Sequence, residues 1–76
     1  MGWMMDTFKS IALKALDWVL KHYFVSKDEI SAICVEKRGE QYNVVFFLKT
    51  TINLIHVIMD KHGRVIKSWY GWINGY

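Results

Sequence analysis

The first third of the chain repeats apolar residues with the period of an amphipathic helix. Residues 3–24 contain neither proline nor glycine, and at about 100° per residue their apolar side chains gather on one side. Those side chains are Met4, Met5, Phe8, Ile11, Ala12, Ala15, Leu16, Val19 and Tyr23. The pattern predicts a helix over about residues 4–24, with Asp6 or Thr7 as its N-terminal cap.

The apolar arc of this predicted helix is wider than one contact requires. Leu13 and Leu20 extend it past one flank and Trp18 past the other. The arc then spans nearer 200° than the roughly 100° stripe that covers a core. We therefore expect a second contact along the helix flank, with Trp18 as a candidate contact residue.

After residue 30 the pattern changes to that of β-strands, with β-branched and aromatic residues separated by short polar turns. The predicted strands cover about residues 30–37, 41–49, 52–60 and 64–73. The predicted fold is α+β: one N-terminal amphipathic helix packed on a three- or four-stranded antiparallel meander sheet, as a single domain over residues 1–76. In the link before the first strand, Ser26 and Glu29 match a capping box, which is typical of one extra helical turn but also occurs in plain loops.

Two of the predicted turns share the pattern acid, lysine, polar residue, glycine, at residues 36–39 and 60–63. A glycine in the left-handed conformation after a type I turn closes a three-residue hairpin loop with a bulge. The shared pattern predicts the same turn in both hairpins. Residues 49–51 contain no glycine, so they do not specify the register of the middle pair of strands.

The predicted turns determine which side chains share a face of the sheet. In the last hairpin His56 would lie opposite Ser68, and in the first Cys34 would lie opposite Tyr42. Both faces then carry large apolar groups, whereas a sheet covered on one side normally alternates apolar and polar residues. The helix can cover one face, and a second copy of the chain is the simplest cover for the other.

Length and composition also favour self-association. The chain has 76 residues, of which 53% are hydrophobic and 16% aromatic, and a domain this short buries only about 60% of its unfolded surface. Its single cysteine, Cys34, excludes an internal disulfide, and the usual zinc-ligand spacings are absent. We therefore expect a homodimer or a higher closed oligomer, with no cofactor and no metal.

These observations favour a non-enzymatic protein-interaction module, such as a small regulator or inhibitor. It would associate with itself through the apolar sheet face or the helix flank, or with another protein. The candidate interface or binding residues are Trp18, Phe47, Ile55, Val57, Trp69, Tyr70 and Trp72.

Two other kinds of binding remain open. The net charge is +3, and basic residues lie near the C-terminal aromatics, as in a stacking platform for single-stranded nucleic acid. The lysines and arginines are scattered, however, which favours the aromatics as the core of an oligomer interface. The other possibility is an apolar small-molecule site between the helix and the sheet, lined by tryptophan and methionine.

Candidate chemistry is sparse. Cys34 and His56 on one sheet face would suggest a nucleophile and its base, but cysteine between two β-branched residues is more typical of a core position. His56 also has β-branched neighbours, so burial would disfavour its charged form and make the packing sensitive to pH. Asp60 and His62 suggest a weak cation site, although a solvated turn is more typical of them.

No apolar run approaches the roughly 18 residues of a membrane span, and the N-terminus has no signal-peptide pattern. We therefore expect a soluble cytoplasmic protein. The stretch MDKHGRVIKSWY resembles the end of a PepSY-type domain, in which a helix precedes a strand meander whose last hairpin carries an acid and a glycine. The resemblance covers roughly residues 42–70 and implies a non-catalytic domain that acts by binding.

Overall fold

The structure is a computed structural model that describes residues 3–50 and 52–72, with side chains for residues 7–50 and 52–71. Its main elements are the helix α1 (Trp3–His22) and the strands β1 (Ile30–Arg38), β2 (Gln41–Leu48), β3 (Asn53–Asp60) and β4 (Val65–Trp72). The strands form one antiparallel meander in the order β1-β2-β3-β4. The predicted α+β fold is confirmed, with four strands in the sheet. The predicted end of the last strand at residue 73 lies outside the described residues.

Helix α1 packs on the sheet through a stripe of small and medium side chains, which the partly buried Leu16, Trp18 and Tyr23 flank. Ile11, Ala15 and Val19 are buried, and their spacing of four residues places them on one face of the helix. Met4 and Met5 lie outside the described side chains. Within the described part of the chain, no helix is both long enough and apolar enough to cross a membrane.

The two ends of the helix differ from the prediction. The helix begins at Trp3, so Asp6 and Thr7 lie inside it and the predicted capping role was wrong. It ends at His22, whose side-chain Nδ1–H donates to the carbonyl of Trp18 over 2.9 Å. This bond holds the His22 imidazole against the last turn of the helix, where it stacks on the Trp18 indole. A hydrogen bond from Ser26 N–H to Glu29 Oε1 (2.8 Å) then accompanies a short 3₁₀ helix, Lys27–Glu29, so the extra turn does form.

The core lies between the helix and one face of the sheet. Phe46 and Val44 on β2 face the helix, beside Ile55 and Val57 on β3, and all four side chains are at most 1% exposed. Because β2 and β3 are the central strands, the largest side chains of the core lie in the middle of the sheet. The rest of the buried core cluster is Ile11, Ala15, Val19, Tyr42 and Met59.

The second hairpin has the predicted turn. The N–H of Gly63 donates to the carbonyl of Asp60 (3.0 Å), and the N–H of Asp60 donates to the carbonyl of Arg64 (2.9 Å). Gly63 has a φ of 85°, the left-handed conformation that this loop needs. The Asp60 carboxylate strengthens the turn, since its Oδ1 accepts from the backbone N–H groups of His62 and Arg64.

The first hairpin does not share that turn, so the prediction of two identical turns was wrong. Arg38 pairs directly with Gln41, which leaves Gly39 and Glu40 as a two-residue loop. Gly39 has a φ of 61°, and no residue other than glycine has a positive φ among those described. A positive φ at the first loop position only is the signature of a type II′ turn. Cys34 consequently lies opposite Val45 rather than Tyr42.

A bulge in β4 changes the register of the last hairpin. Met59 pairs with Val65 but Ile58 pairs with Lys67, so Ile66 is an extra residue in β4. His56 therefore lies opposite Trp69, not Ser68 as predicted. The bulge brings Trp69 to the sheet face that points away from the helix.

Candidate functional site

The candidate site is the sheet face that points away from α1, which we call the outer face. The strand register arranges its side chains in rows that run across the sheet from β1 to β4. Two rows form the apolar half: Ala32, Phe47, Leu54 and Gly71, then Cys34, Val45, His56 and Trp69. The next two form the polar half: Glu36, Asn43, Ile58 and Lys67, then Arg38, Gln41 and Asp60. No other element of the described chain packs on this face.

The apolar half is continuous across all four strands. Leu54 is only 6% exposed although it faces away from the helix, whereas Trp69 is 40% exposed. Phe47 and Val45 are half-buried. Neighbouring side chains therefore shield one another, but the outer surface of the apolar half faces solvent in a single copy of the chain.

His56 lies near the centre of the outer face. Its imidazole stacks on the Trp69 indole, with ring centroids 4.7 Å apart and planes 8° from parallel. Ser68 lies on the helix side of the sheet because of the bulge, and its Oγ is 3.1 Å from the Tyr23 hydroxyl. His56 Nε2 is buried without a hydrogen-bond partner, and burial lowers the pKa of His56 below its ordinary value of 6.5.

The polar half holds charges of both signs. Arg38 Nε lies 3.2 Å from Glu36 Oε1 on β1, and on β4 the Lys67 ammonium lies 5.6 Å from the centroid of the Trp69 ring. Between them, Asn43 Oδ1 is buried without a hydrogen-bond partner. A cavity of about 380 Å³ opens in this half of the face. It is lined by Arg38, Gln41, Tyr42, Asn43, Ile58, Lys67 and Trp69.

The candidate contact residues named from the sequence do not form one surface. Phe47 and Trp69 lie on the outer face, whereas Tyr70 lies on the opposite face, with its hydroxyl 3.3 Å from Asn53 Nδ2. Trp69 and Tyr70 therefore do not share a stacking platform. Trp18 is on the helix, with its indole stacked on the His22 ring at 4.2 Å.

Two of the remaining candidates are core residues. Ile55 is 1% and Val57 is 0% exposed beneath the helix, so neither side chain is available for a contact with another molecule. The side chain of Trp72 lies outside those described. The sequence also missed Asn43 and Ile58, which the pairing of β2 with β3 places side by side on the outer face.

The structure separates the two residues of the suggested nucleophile pair. Cys34 and His56 share a row of the outer face, but Val45 lies between them. They are therefore two strand spacings apart, about 9.6 Å, which is beyond hydrogen-bonding distance. In the last turn, the Asp60 carboxylate binds backbone N–H groups, and in the described part of the chain no three potential ligands cluster to hold a metal.

A second concave region lies on the helix side of the sheet, where the link after α1 approaches the ends of β2 and β3. This cleft has a volume of about 390 Å³. It is lined by Tyr23, Phe24, Val25, Glu29, Leu48, Thr50, Ile55 and Tyr70. It corresponds in position to the aromatic-lined site expected between helix and sheet, but none of the described side chains that border it is a tryptophan or a methionine.

Comparison with known proteins gives no match to any family model, curated protein or solved structure.

Proposed function

We propose that this chain is a non-enzymatic protein-interaction module that associates with itself through the outer face. The observation that carries the proposal is the apolar half of that face, which spans four strands and has no described element packed on it. Contiguous apolar surface of this kind in a small protein usually marks a contact with another molecule. A second copy supplies an equally apolar surface of the same size.

The outer face has the size of a small, weak contact between two proteins. Four strands about 4.8 Å apart, each contributing about seven residues at about 3.3 Å, give a flat footprint of roughly 450 Å² per copy. A pair of copies then buries about 900 Å², a value that treats each face as flat and ignores the projecting side chains. This area is slightly below the ~1,000 Å² that separates specific interfaces from incidental ones. The contact is consequently of the size of a modest, reversible homodimer.

The helix flank is the competing surface for self-association. Leu13 is 56% exposed on α1, but its neighbours Lys9, Ser10, Lys14 and Asp17 are polar. A single exposed leucine among polar side chains is ordinary for a surface helix. The outer face is therefore the better candidate, and the two surfaces can be tested with matched variants.

Size-exclusion chromatography with light scattering, at about 10 µM protein, tests the proposal. We expect the wild type to be a dimer and Val45→Glu, in the central rows of the outer face, to be a monomer because it buries an unpaired charge at the contact. Trp69→Ala removes an exposed side chain and should weaken the dimer even if Val45→Glu folds poorly. Leu13→Glu, the matched change on the helix, should leave the dimer intact.

A wild-type monomer at this concentration would contradict the proposal. If Leu13→Glu dissociates the dimer and Trp69→Ala does not, the interface lies on the helix flank. Chemical protection gives an independent measurement, since Cys34 is the only cysteine and is exposed on the outer face. Its alkylation rate should fall as the protein concentration rises, and in Val45→Glu the rate should not depend on concentration.

A further inference from the structure

We infer that two copies pack their outer faces together about a two-fold axis parallel to the strands, which places Glu36 of each copy opposite Lys67 of the other. This inference rests on the proposed self-association and specifies its symmetry and register. It follows from two features of the outer face: its division into an apolar and a polar half, and the opposite charges at the two ends of one row.

The division into halves selects the direction of the axis. A two-fold axis that joins two sheet faces must lie in the plane between them. An axis perpendicular to the strands would reverse the order of the rows, so that the apolar half of one copy would cover the polar half of the other. An axis parallel to the strands keeps each row opposite the same row, which places apolar side chains against apolar side chains.

The same axis brings opposite charges together. It places β1 of one copy opposite β4 of the other, and β2 opposite β3. Glu36 on β1 and Lys67 on β4 are the two ends of one row, so Glu36 of each copy lies opposite Lys67 of the other. Each dimer then has two such pairs, one at each edge of the interface. Glu36 is already beside Arg38 in its own copy, so the carboxylate would lie between two cations.

The proposed contact is compatible with the known packing of β-sheets. Two sheets that stack face to face lie about 10 Å apart with their strands about 30° from parallel. A two-fold axis within about 15° of the mean strand direction produces that angle. In the central rows, Val45 then faces His56 of the second copy, and Phe47 faces Leu54.

Charge reversal at the two residues tests this arrangement. Glu36→Lys places two lysines opposite each other at each edge, and Lys67→Glu places two glutamates there. Either single variant should raise the dimer dissociation constant about tenfold at low salt, with a smaller effect at about 0.5 M salt. An equimolar mixture of the two variants should form a heterodimer about as tight as the wild type, because every edge pair is again of opposite charge.

The matched controls are Asp28→Lys and Lys9→Glu, which change the net charge equally at exposed positions away from the outer face. Analytical ultracentrifugation of the single variants, the mixture and the controls gives each dissociation constant. A wild-type dimer whose affinity is unaffected by both reversals would overturn this symmetry while leaving the outer-face interface in place. Failure of the mixture to form a heterodimer would also overturn it, whereas a monomeric wild type would overturn the proposed function as well.

Discussion

At the scale of single residues, His56 is the titratable group most closely tied to the outer face. Its ring stacks on Trp69 and its Nε2 has no hydrogen-bond partner. A protonated imidazole needs partners for both N–H groups, so the setting favours the neutral form. The charged groups on the same face are Glu36, Arg38, Asp60 and Lys67, which lie in the polar half. Burial, rather than a neighbouring charge, accordingly lowers the pKa of His56.

This lowered pKa predicts a loss of stability on acidification. The unfolded chain takes up a proton at His56 near its ordinary pKa of 6.5, whereas the folded chain does so only at lower pH. The contribution of His56 to the free energy of unfolding is therefore complete above pH 6.5 and declines as the pH falls toward the folded-state pKa. Urea unfolding at constant protein concentration, from about pH 7.5 to about pH 5.5, should show this decline.

The variant His56→Gln should remove that part of the pH dependence because glutamine does not titrate. His62→Gln is the matched control, since His62 is exposed in the last turn and should retain the wild-type pH dependence. An equally steep decline in His56→Gln would show that another group is responsible.

At the scale of elements, the two hairpins show how one sequence pattern gives two different turns. Both loops place a glycine at positive φ, but only the second has an acid whose carboxylate accepts two backbone N–H bonds. In the first, Glu36 instead lies on β1 beside Arg38. The glycine positions were predictable from the sequence. The loop lengths were not, because they depend on whether the acidic side chain accepts hydrogen bonds from the backbone of the turn or pairs with a neighbouring arginine on the strand.

We predict that Gly63→Ala lowers the free energy of unfolding by about 1–2 kcal/mol, because a Cβ is disfavoured at positive φ. The Cβ would also approach Lys14 Cδ to 2.8 Å, but that flexible side chain can move. Gly63→Asn should cost less, since asparagine tolerates the left-handed conformation better. Gly71→Ala is the control: the φ of Gly71 is not positive and an added Cβ would lie 3.7 Å from Trp69 Cδ1, an ordinary contact, so its effect should stay within about 0.5 kcal/mol. Chemical denaturation measures all three, and equal losses at Gly63 and Gly71 would contradict the turn assignment.

The sequence predicted the elements and their order better than it predicted which side chains lie on each face of the sheet. The helix and four strands followed from periodicity, but a register shift of one residue moves every side chain of a strand to the other face. Such a shift is normally excluded because it would expose apolar residues, yet here both faces are apolar. Val65 and Ile66 are equally suited to either face, so nothing in the pattern locates the bulge. The placement of His56 opposite Trp69 therefore required the structure.

At the scale of the whole molecule, the two faces of the sheet have different cover. The helix covers one face with Ile11, Ala15 and Val19, and the other has no cover from the described residues. For a short chain, a contact that buries this second face adds apolar burial that a single copy cannot provide. If the outer face joins two copies, the stability of the fold must depend on protein concentration.

Thermal unfolding tests this dependence. A dimer that unfolds to separate chains has a higher Tm at higher protein concentration, because mass action favours the associated state. Between about 1 µM and about 100 µM the wild-type Tm should rise by about 8 °C. Val45→Glu should have a lower Tm that does not change with concentration, whereas Leu13→Glu should keep the wild-type slope. A concentration-independent wild-type Tm, together with a monomeric mass, would mean that the exposed apolar half has no role in self-association.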